Sequence, residues 1–168
     1  MHGIISDEKA MKVPASEAWK LIGTLQLAKF VEESLPNFCS KIDVLEGDGA
    51  VGTILRLSFP PGTGESGLEW LKEKFTVVDN EKLVKVTEVV EGGYLDVGFT
   101  LYRFKLEVME AAEEKEKEKE KHCIVRYTIE YEVKQDAAAN ASLASIQPLT
   151  AIMQLAADYL LRNYNNTN

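Results

Sequence analysis

The chain has 168 residues, the size of one ordinary domain. Hydrophobic residues make up 45% and charged residues 27% of the chain, which fits a packed globular core and excludes disordered, collagen-like and disulfide-scaffold classes. The net charge of −8 disfavours binding to a phosphate backbone or to anionic lipid, because both need a basic surface. We therefore expect no nucleic acid partner and no membrane partner.

The cysteine and histidine content argues against a metal centre. Cys39 and Cys123 lie far apart and form no CxxC pair, so they are predicted to be reduced structural thiols. His2 and His122 are too few for a metal site, and no cofactor is expected. No leader-like segment is recognised, and no apolar run approaches the roughly 20 residues of a membrane span. These features predict a cytoplasmic protein.

The N-terminal quarter of the chain shows one strand pattern and two helix patterns. Residues 3–13 are predicted to form a strand, and Pro14 followed by Glu17 marks the start of a short helix. A second short helix is predicted for residues 25–34, and Pro36 limits its extension.

From residue 41 onward, apolar residues recur at every second position, which is the period of a strand. Six strands are predicted, one beginning at residue 41 and the others at 53–59, 68–79, 83–91, 98–109 and 123–134. Residues 137–164 then carry apolar side chains at three- and four-residue spacing. This spacing predicts a long amphipathic helix with a kink at Pro148.

Residues 111–121 form a Glu/Lys-rich run whose opposite charges nearly cancel. Such a run cannot bury a core and is predicted to be a flexible, solvated hairpin loop. Without repeats or linkers, residues 1–168 are predicted to form a single domain. The element order predicts an α+β fold, in which a curved seven-stranded antiparallel sheet wraps around the long C-terminal helix, with two short helices.

Four segments resemble one family of plant proteins. They are EGDGAVGT at 46–53, KEKFTVVDNE at 72–81, EGGYLDVG at 91–98 and ANAS at 139–142. The family is that of the birch-pollen allergen Bet v 1 and the pathogenesis-related class 10 proteins. The second and third segments resemble its norcoclaurine synthase-like branch, and the fourth resembles norbelladine synthase-like members.

The resemblance implies a Bet v 1-like, START-like helix-grip fold with a large internal cavity between the sheet and the long helix. It also implies a small hydrophobic or aromatic ligand, a role in plant defence or alkaloid metabolism, and a monomer or weak homodimer. The glycine-rich segment 46–53 is predicted to be a turn between strands. No Lys-Ser/Thr pair and no helix follow it, as a phosphate-binding loop would require.

Norcoclaurine synthases use the cavity for a Pictet–Spengler condensation, in which an aromatic amine and an aryl acetaldehyde form an iminium that cyclises. The resemblance implies four polar cavity positions. The family glutamate falls on Glu73, the tyrosine on Leu71 and the aspartate on Phe104. The lysine falls on Val84, with Lys85 as the second choice. Three of the four positions are thus substituted, and slow or altered chemistry is expected.

Strand alternation singles out carboxylates that could face the cavity. Glu73 shares a face with Glu69, Leu71 and Phe75, so it is predicted to point inward. An apolar cavity raises a carboxyl pKa by desolvation, which suits proton transfer near neutral pH. Alternatively, Glu73 pairs with a nearby lysine or lies at the cavity rim.

Glu88 is a second inward candidate, because it shares a strand face with Val84, Val86 and Val90. Carboxylates around one cavity could stabilise a cationic amine or iminium. Other candidate lining residues share inward faces of the last two strands and of the long helix, and could equally be core. They are Tyr102, Phe104, Tyr127, Tyr131, Leu149, Ile152 and Met153.

Two functions therefore stay open. The first is an enzyme of alkaloid metabolism that carries out imine or iminium chemistry, with Glu73 as the proton-transfer group. The second is a non-catalytic carrier for phenolic, alkaloid or hormone ligands. A nuclease activity is disfavoured by the acidic charge and by the lack of a histidine-based site.

Overall fold

A computed structural model of the chain describes residues 1–61, 67–111 and 122–167. The predicted flexible loop at 111–121 lies outside the described residues except for Ala111.

One antiparallel sheet of seven strands dominates the fold, in the order β1-β7-β6-β5-β4-β3-β2. Its strands are β1 (His2–Met11), β2 (Lys41–Glu46), β3 (Ile54–Ser58), β4 (Trp70–Asp79), β5 (Val84–Gly92), β6 (Phe99–Glu110) and β7 (Cys123–Val133). Strands β2 to β7 each pair with their neighbour in the chain, whereas β1 crosses to the far edge and pairs with β7. The predicted seven-stranded antiparallel sheet is confirmed.

Three α-helices accompany the sheet: α1 (Ala15–Ile22), α2 (Gln26–Ser34) and α3 (Gln147–Thr167). The two short helices lie where the sequence predicts them, and α1 begins directly after Pro14. The prediction of a helix from residue 137 with a kink at Pro148 is wrong. Pro148 lies in the first turn of α3, where its missing N–H is not needed. The preceding residues form a separate 3₁₀ helix, Gln135–Leu143.

The sheet has one buried face and one charged face. In β7, Cys123, Val125, Tyr127 and Ile129 are buried, while the residues between them are partly exposed. We call the buried side the inner face. The opposite face carries exposed ion pairs, among them the pair between the Arg126 guanidinium and a carboxylate oxygen of Glu8 at 2.8 Å, and such pairs add little stability.

Helix α3 packs against the inner face of the sheet. Met153 and Ala156 of α3 are fully buried in one cluster with Val125 and Tyr127 of β7. The Tyr127 hydroxyl lies 3.1 Å from the Thr150 hydroxyl, which ties this strand to the helix. Full burial of a side chain such as Met153 stabilises the fold by roughly 1.5–3 kcal/mol.

A second buried cluster lies on the same face. Its members come from the central strands, β7 and the residue that follows the 3₁₀ helix: Leu71, Val89, Phe99, Tyr102, Ile129, Val133 and Ala144. Leu149 of α3 packs against both clusters and so joins them.

Candidate active site

Glu73 lies on the inner face of β4 within a ring of apolar side chains. Leu71 and Phe75 precede and follow it on that face, and Leu55 and Val89 are its partners on the neighbouring strands. These four residues are 1–3% exposed, whereas Glu73 retains a partly accessible surface. The carboxyl is therefore surrounded by buried apolar side chains and is not packed tightly among them.

Burial controls the protonation of this carboxyl. Desolvation raises the pKa of Glu73 to about 7, and the positive charge of Lys85 opposes the shift. A carboxyl that titrates near neutral pH can both donate and accept a proton under ordinary cellular conditions.

Lys85 is the cationic partner of Glu73 and comes from the next strand, β5. Its side chain is 4% exposed, and Nζ donates to the backbone carbonyls of Ile22 at 3.1 Å and Thr24 at 3.4 Å. These carbonyls lie at the C-terminal end of α1, where the helix dipole favours a positive charge. Nζ also lies 4.5 Å from the centroid of the Phe75 ring, close enough for a cation–π contact.

Burial lowers the pKa of Lys85 to about 8, and the charge of Glu73 opposes this shift. Each group therefore acts on the pKa of the other. Within the described residues, no N···O contact of 4 Å or less joins them, so neither group is held in a closed ion pair. An acid and a base of similar strength thus share one apolar face, and this arrangement can move a proton to or from a bound molecule.

The prediction of which β5 residues face inward is wrong. Lys85, Thr87 and Val89 are buried, whereas Val84 and Glu88 lie on the opposite face and are only partly buried. Both faces of this strand carry valines, so alternation alone could not choose between them. Lys85, the second choice for the family lysine, is the residue that the fold places beside Glu73.

The other carboxylate candidate does not join the site. Glu69 is exposed and precedes β4, which begins at Trp70 and not at the predicted residue 68. Leu71 is a member of the second buried cluster and Phe104 packs against it, at the positions where the resemblance implies the family tyrosine and aspartate. Glu73 is consequently the one carboxylate among the predicted candidates that lies on the inner face.

The remaining predicted lining residues all lie on the inner side of the molecule. Tyr102, Tyr127, Ile152 and Met153 are buried, and Phe104, Tyr131 and Leu149 are partly buried. Tyr127, Ile152 and Met153 belong to the cluster beneath α1 and α3, and the other four belong to the second cluster or pack against it.

Two further residues lie near the site, where the sequence did not place them. Cys39 is fully buried, and desolvation together with the charge of Glu73 raises the pKa of its thiol to about 11. The thiol is therefore protonated and unreactive at neutral pH. Tyr94, in the 3₁₀ helix Gly93–Val97, stacks on Tyr102. In the sequence it lies within the family-like segment 91–98, where the preceding pair of glycines indicates a turn but not its direction.

The described residues contain no group of three His, Cys, Asp or Glu side chains that could hold a metal ion. None of the described helices is long and apolar enough to cross a membrane.

The shifted pKa values predict how stability depends on pH. The folded protein binds the Glu73 proton more tightly than a carboxyl with the ordinary value of 4.5 does, so the free energy of unfolding should fall as pH rises from 4.5 to about 7. Lys85 loses its proton more readily than an ordinary lysine at 10.5, so stability should rise again from about pH 8 to 10.5.

Urea unfolding at several pH values measures this dependence. The Glu73→Gln variant should lack the fall between pH 4.5 and 7 and keep the rise, which begins below pH 8 because the charge of Glu73 no longer raises the pKa of Lys85. The same acidic-side fall in both proteins would show that Glu73 is not the group responsible.

The amino-acid sequence matches a known protein family over almost its whole length. Residues 1–163 match the pathogenesis-related protein Bet v 1 family, and the chain belongs to that family. Its relatives include synthases of alkaloid biosynthesis. The chain is 38% identical to norbelladine synthase of Narcissus pseudonarcissus over 166 residues, covering 99% of this chain and 96% of that protein. It is 32% identical to S-norcoclaurine synthase of Thalictrum flavum subsp. glaucum, covering 98% and 74%.

Solved structures agree with this placement. A norcoclaurine synthase point mutant from Thalictrum flavum, in complex with a transition-state analogue, matches with a TM-score of 0.84 at 30% identity, covering 98% of this chain and 97% of that one. The enzyme from Thalictrum flavum in complex with dopamine and hydroxybenzaldehyde matches with a TM-score of 0.81 at 31% identity, covering 96% and 88%. Major latex-like protein 151 of Panax ginseng, at 19% identity and a TM-score of 0.66, shares the fold.

Proposed function

We propose that this protein condenses an aromatic amine with an aryl aldehyde, in a cavity between the inner face of the sheet and α3. The product is an imine or the ring that forms when the iminium cyclises. Support comes from the relatives that are norbelladine and norcoclaurine synthases, and from the norcoclaurine synthase structure that holds dopamine and hydroxybenzaldehyde together.

The observation that carries this proposal is the pairing of Glu73 and Lys85 on an apolar face. The pKa of the carboxyl is raised to about 7 and that of the ammonium is lowered to about 8, so both titrate near the pH at which such a condensation would run. A purely structural ion pair would be expected to form a direct contact, which these two groups do not.

The proton steps follow from ordinary imine chemistry. The neutral amine adds to the aldehyde carbon and gives a carbinolamine. Glu73 in its acid form protonates the carbinolamine hydroxyl, which leaves as water while the nitrogen lone pair forms the iminium. The resulting carboxylate then takes a proton, either from the iminium nitrogen to release the imine or from the ring carbon after cyclisation.

The same carboxylate stabilises the positive charge of the iminium, because a negative charge in an apolar site is poorly screened. We propose that Leu71, Phe104, Tyr102 and Leu149 shape the cavity around the two rings. Leu71 and Phe104 replace the tyrosine and aspartate that the family resemblance implies, so Glu73 acts without a second polar catalytic group from those positions.

A carrier function is the second candidate, and the same two residues favour it. Leu71 is 2% exposed and Phe104 is partly buried, so the wall beside Glu73 is apolar and suits retention of a phenolic or alkaloid ligand. In either role we propose a cytoplasmic protein, because its two cysteines are free and buried.

The test is an incubation of the purified protein with dopamine and 4-hydroxyphenylacetaldehyde, followed by chiral chromatography against a protein-free control. The enzyme proposal predicts a rate above the spontaneous reaction, with an enantiomeric excess where the iminium cyclises inside the cavity. Racemic product at the control rate, together with measurable dopamine binding, would replace it by the carrier function.

A further inference from the structure

Thr87 is a buried polar residue to which the proposed mechanism gives no role. It lies on the inner face of β5, two residues beyond Lys85, and is 7% exposed. Its direct partners on the neighbouring strands are both phenylalanines, Phe75 on β4 and Phe104 on β6. The side chain therefore stands in the same apolar surroundings as Glu73.

The Thr87 hydroxyl makes no hydrogen bond within the described part of the chain, although most buried polar groups have a partner. It is nevertheless accessible, because it is not one of the sealed, unpartnered side-chain polar atoms of the described residues. Valine has nearly the same shape and would avoid the cost of desolvating a hydroxyl at this position. A ligand atom that hydrogen-bonds to Thr87 would supply the partner that the protein does not.

Thr87 and Glu73 are diagonal neighbours on the inner face. The pairing of β4 with β5 is regular between them, since Glu73 is opposite Val89 and Phe75 is opposite Thr87. Cβ atoms in such diagonal positions lie roughly 7 Å apart. This gap leaves room for one ligand oxygen to hydrogen-bond to both side chains, at roughly 2.8 Å from each.

Lys85, the third polar side chain of this region, is engaged elsewhere. Its ammonium donates to the carbonyls of Ile22 and Thr24 at the end of α1 and contacts the Phe75 ring. Of Glu73, Lys85 and Thr87, the carboxyl and the hydroxyl are therefore the two groups left to contact a bound molecule.

We propose that the Thr87 hydroxyl is a second catalytic group, which donates a hydrogen bond to the aldehyde oxygen. As the amine adds, a C–N bond forms and the carbonyl π electrons move onto this oxygen, where the hydroxyl stabilises the developing negative charge. The oxygen then takes a proton from the added nitrogen and becomes the carbinolamine hydroxyl. Thr87 keeps its own proton throughout, and Glu73 supplies the proton with which the oxygen leaves as water. The inference rests on the proposed function and deepens it, because it names the group that receives the aldehyde.

A carbonyl probe tests this contact without turnover. Acetophenone presents a carbonyl oxygen beside an aryl ring, and α-methylstyrene has the same shape with a CH2 group in place of the oxygen. In NMR titrations, Thr87→Val should weaken acetophenone binding about fivefold and should not weaken α-methylstyrene binding. Thr87→Ser keeps the hydroxyl and should retain most of the acetophenone affinity.

A matched control separates the contact from a general effect of the substitution. Thr76→Val makes the same change on the neighbouring strand, at a hydroxyl that donates to the Val86 carbonyl at 3.3 Å. It should lower the melting temperature and leave the acetophenone affinity unchanged. Thr87→Val should instead keep or raise the melting temperature, because no hydrogen bond to a described residue is lost.

Turnover then separates a catalytic contact from one that only binds. With dopamine and 4-hydroxyphenylacetaldehyde, Thr87→Val should lower kcat by about tenfold or more, and Thr87→Ser should keep most of it. Unchanged acetophenone affinity in Thr87→Val, an equal loss in Thr76→Val, or an unchanged kcat in an active protein would overturn the proposal. A Thr87-dependent affinity for acetophenone in a protein that shows no condensation would instead overturn the proposed function.

Discussion

Replacing Glu73 by glutamine is expected to lower the turnover number of the condensation by about 100-fold or more, because the amide can neither donate the proton that expels water nor take up the proton that is lost afterwards. The amide has nearly the shape of the carboxyl and faces the same apolar neighbours, Leu71 and Phe75. The dissociation constant for a neutral ligand should therefore change little. Steady-state kinetics with dopamine and 4-hydroxyphenylacetaldehyde, combined with calorimetric binding, separates the two effects.

Glu132→Gln is the matched control for this variant. Glu132 is an exposed carboxylate of β7 in the same sheet, and its replacement should leave turnover unchanged. A Glu73→Gln protein with the wild-type rate would remove Glu73 from the mechanism. An equal loss of rate in both variants would point to a general charge effect.

Replacing Lys85 by methionine is expected to lower the rate at pH 7 on the order of tenfold, through its effect on Glu73. The positive charge of Lys85 holds the pKa of Glu73 below the value that burial alone would produce. Without that charge the pKa of Glu73 rises, so its acid form becomes a weaker proton donor to the carbinolamine hydroxyl. Methionine has a similar length and no charge, but it leaves the carbonyls of Ile22 and Thr24 without the Lys85 donor, so the melting temperature of the variant is measured beside its rate.

The pH dependence distinguishes this electrostatic role from a direct chemical one. If Lys85 acts by setting the pKa of Glu73, part of the lost rate relative to the wild type returns as pH rises above 8, because Glu73 of the variant keeps its acid form where that of the wild type has ionised. If the Lys85 amine itself reacts with the aldehyde, the loss persists at every pH. Rates of Lys85→Met measured from pH 6 to pH 9 decide between the two, and a flat, unrecovered loss would contradict the positioning role.

Much of the fold could be read from sequence periodicity. In a strand with one solvent-exposed and one buried face, polar and apolar residues alternate, as in β7, where the inward residues from Cys123 to Ile129 are apolar and the intervening ones, apart from Ile124, are polar. The strands from residue 41 onward were predictable for this reason, and the two short helices from Pro14 and Glu17 at the start of the first and Pro36 after the second. The start of α3 was not predictable. A proline in an amphipathic pattern can either kink a helix or occupy its first turn, and Pro148 lies in the first turn.

The sequence predicted the place of Glu73 in the site but gave Lys85 only as a second choice, and β5 shows why. Valines alternate with Lys85 and Thr87 on this strand, so neither face was distinctly apolar. What places Lys85 inside is a contact with distant residues, the carbonyls at the end of α1, together with the Phe75 ring. Such long-range compensation of a buried charge leaves no local sequence pattern.

Bulges add a second limit to sequence-based prediction. The pairing of β4 with β5 shifts between Phe75 and Val77 and again between Lys72 and Glu73. Each shift changes which residues of the two strands lie side by side, and strict alternation from one strand to the next cannot anticipate it. Glu73 was nevertheless placed correctly on the inner face, because Leu71 and Phe75 flank it within a single strand.

The central claim is that a desolvated carboxyl on the inner face, Glu73, carries the proton transfer. The pH dependence of kcat/KM in the wild type and in Glu73→Gln tests it most directly, since the ionisation of the substrate amine is common to both proteins. Our account predicts that the wild-type profile contains an ionisation near pH 7 that the variant lacks. Profiles of the same shape in both proteins would contradict it.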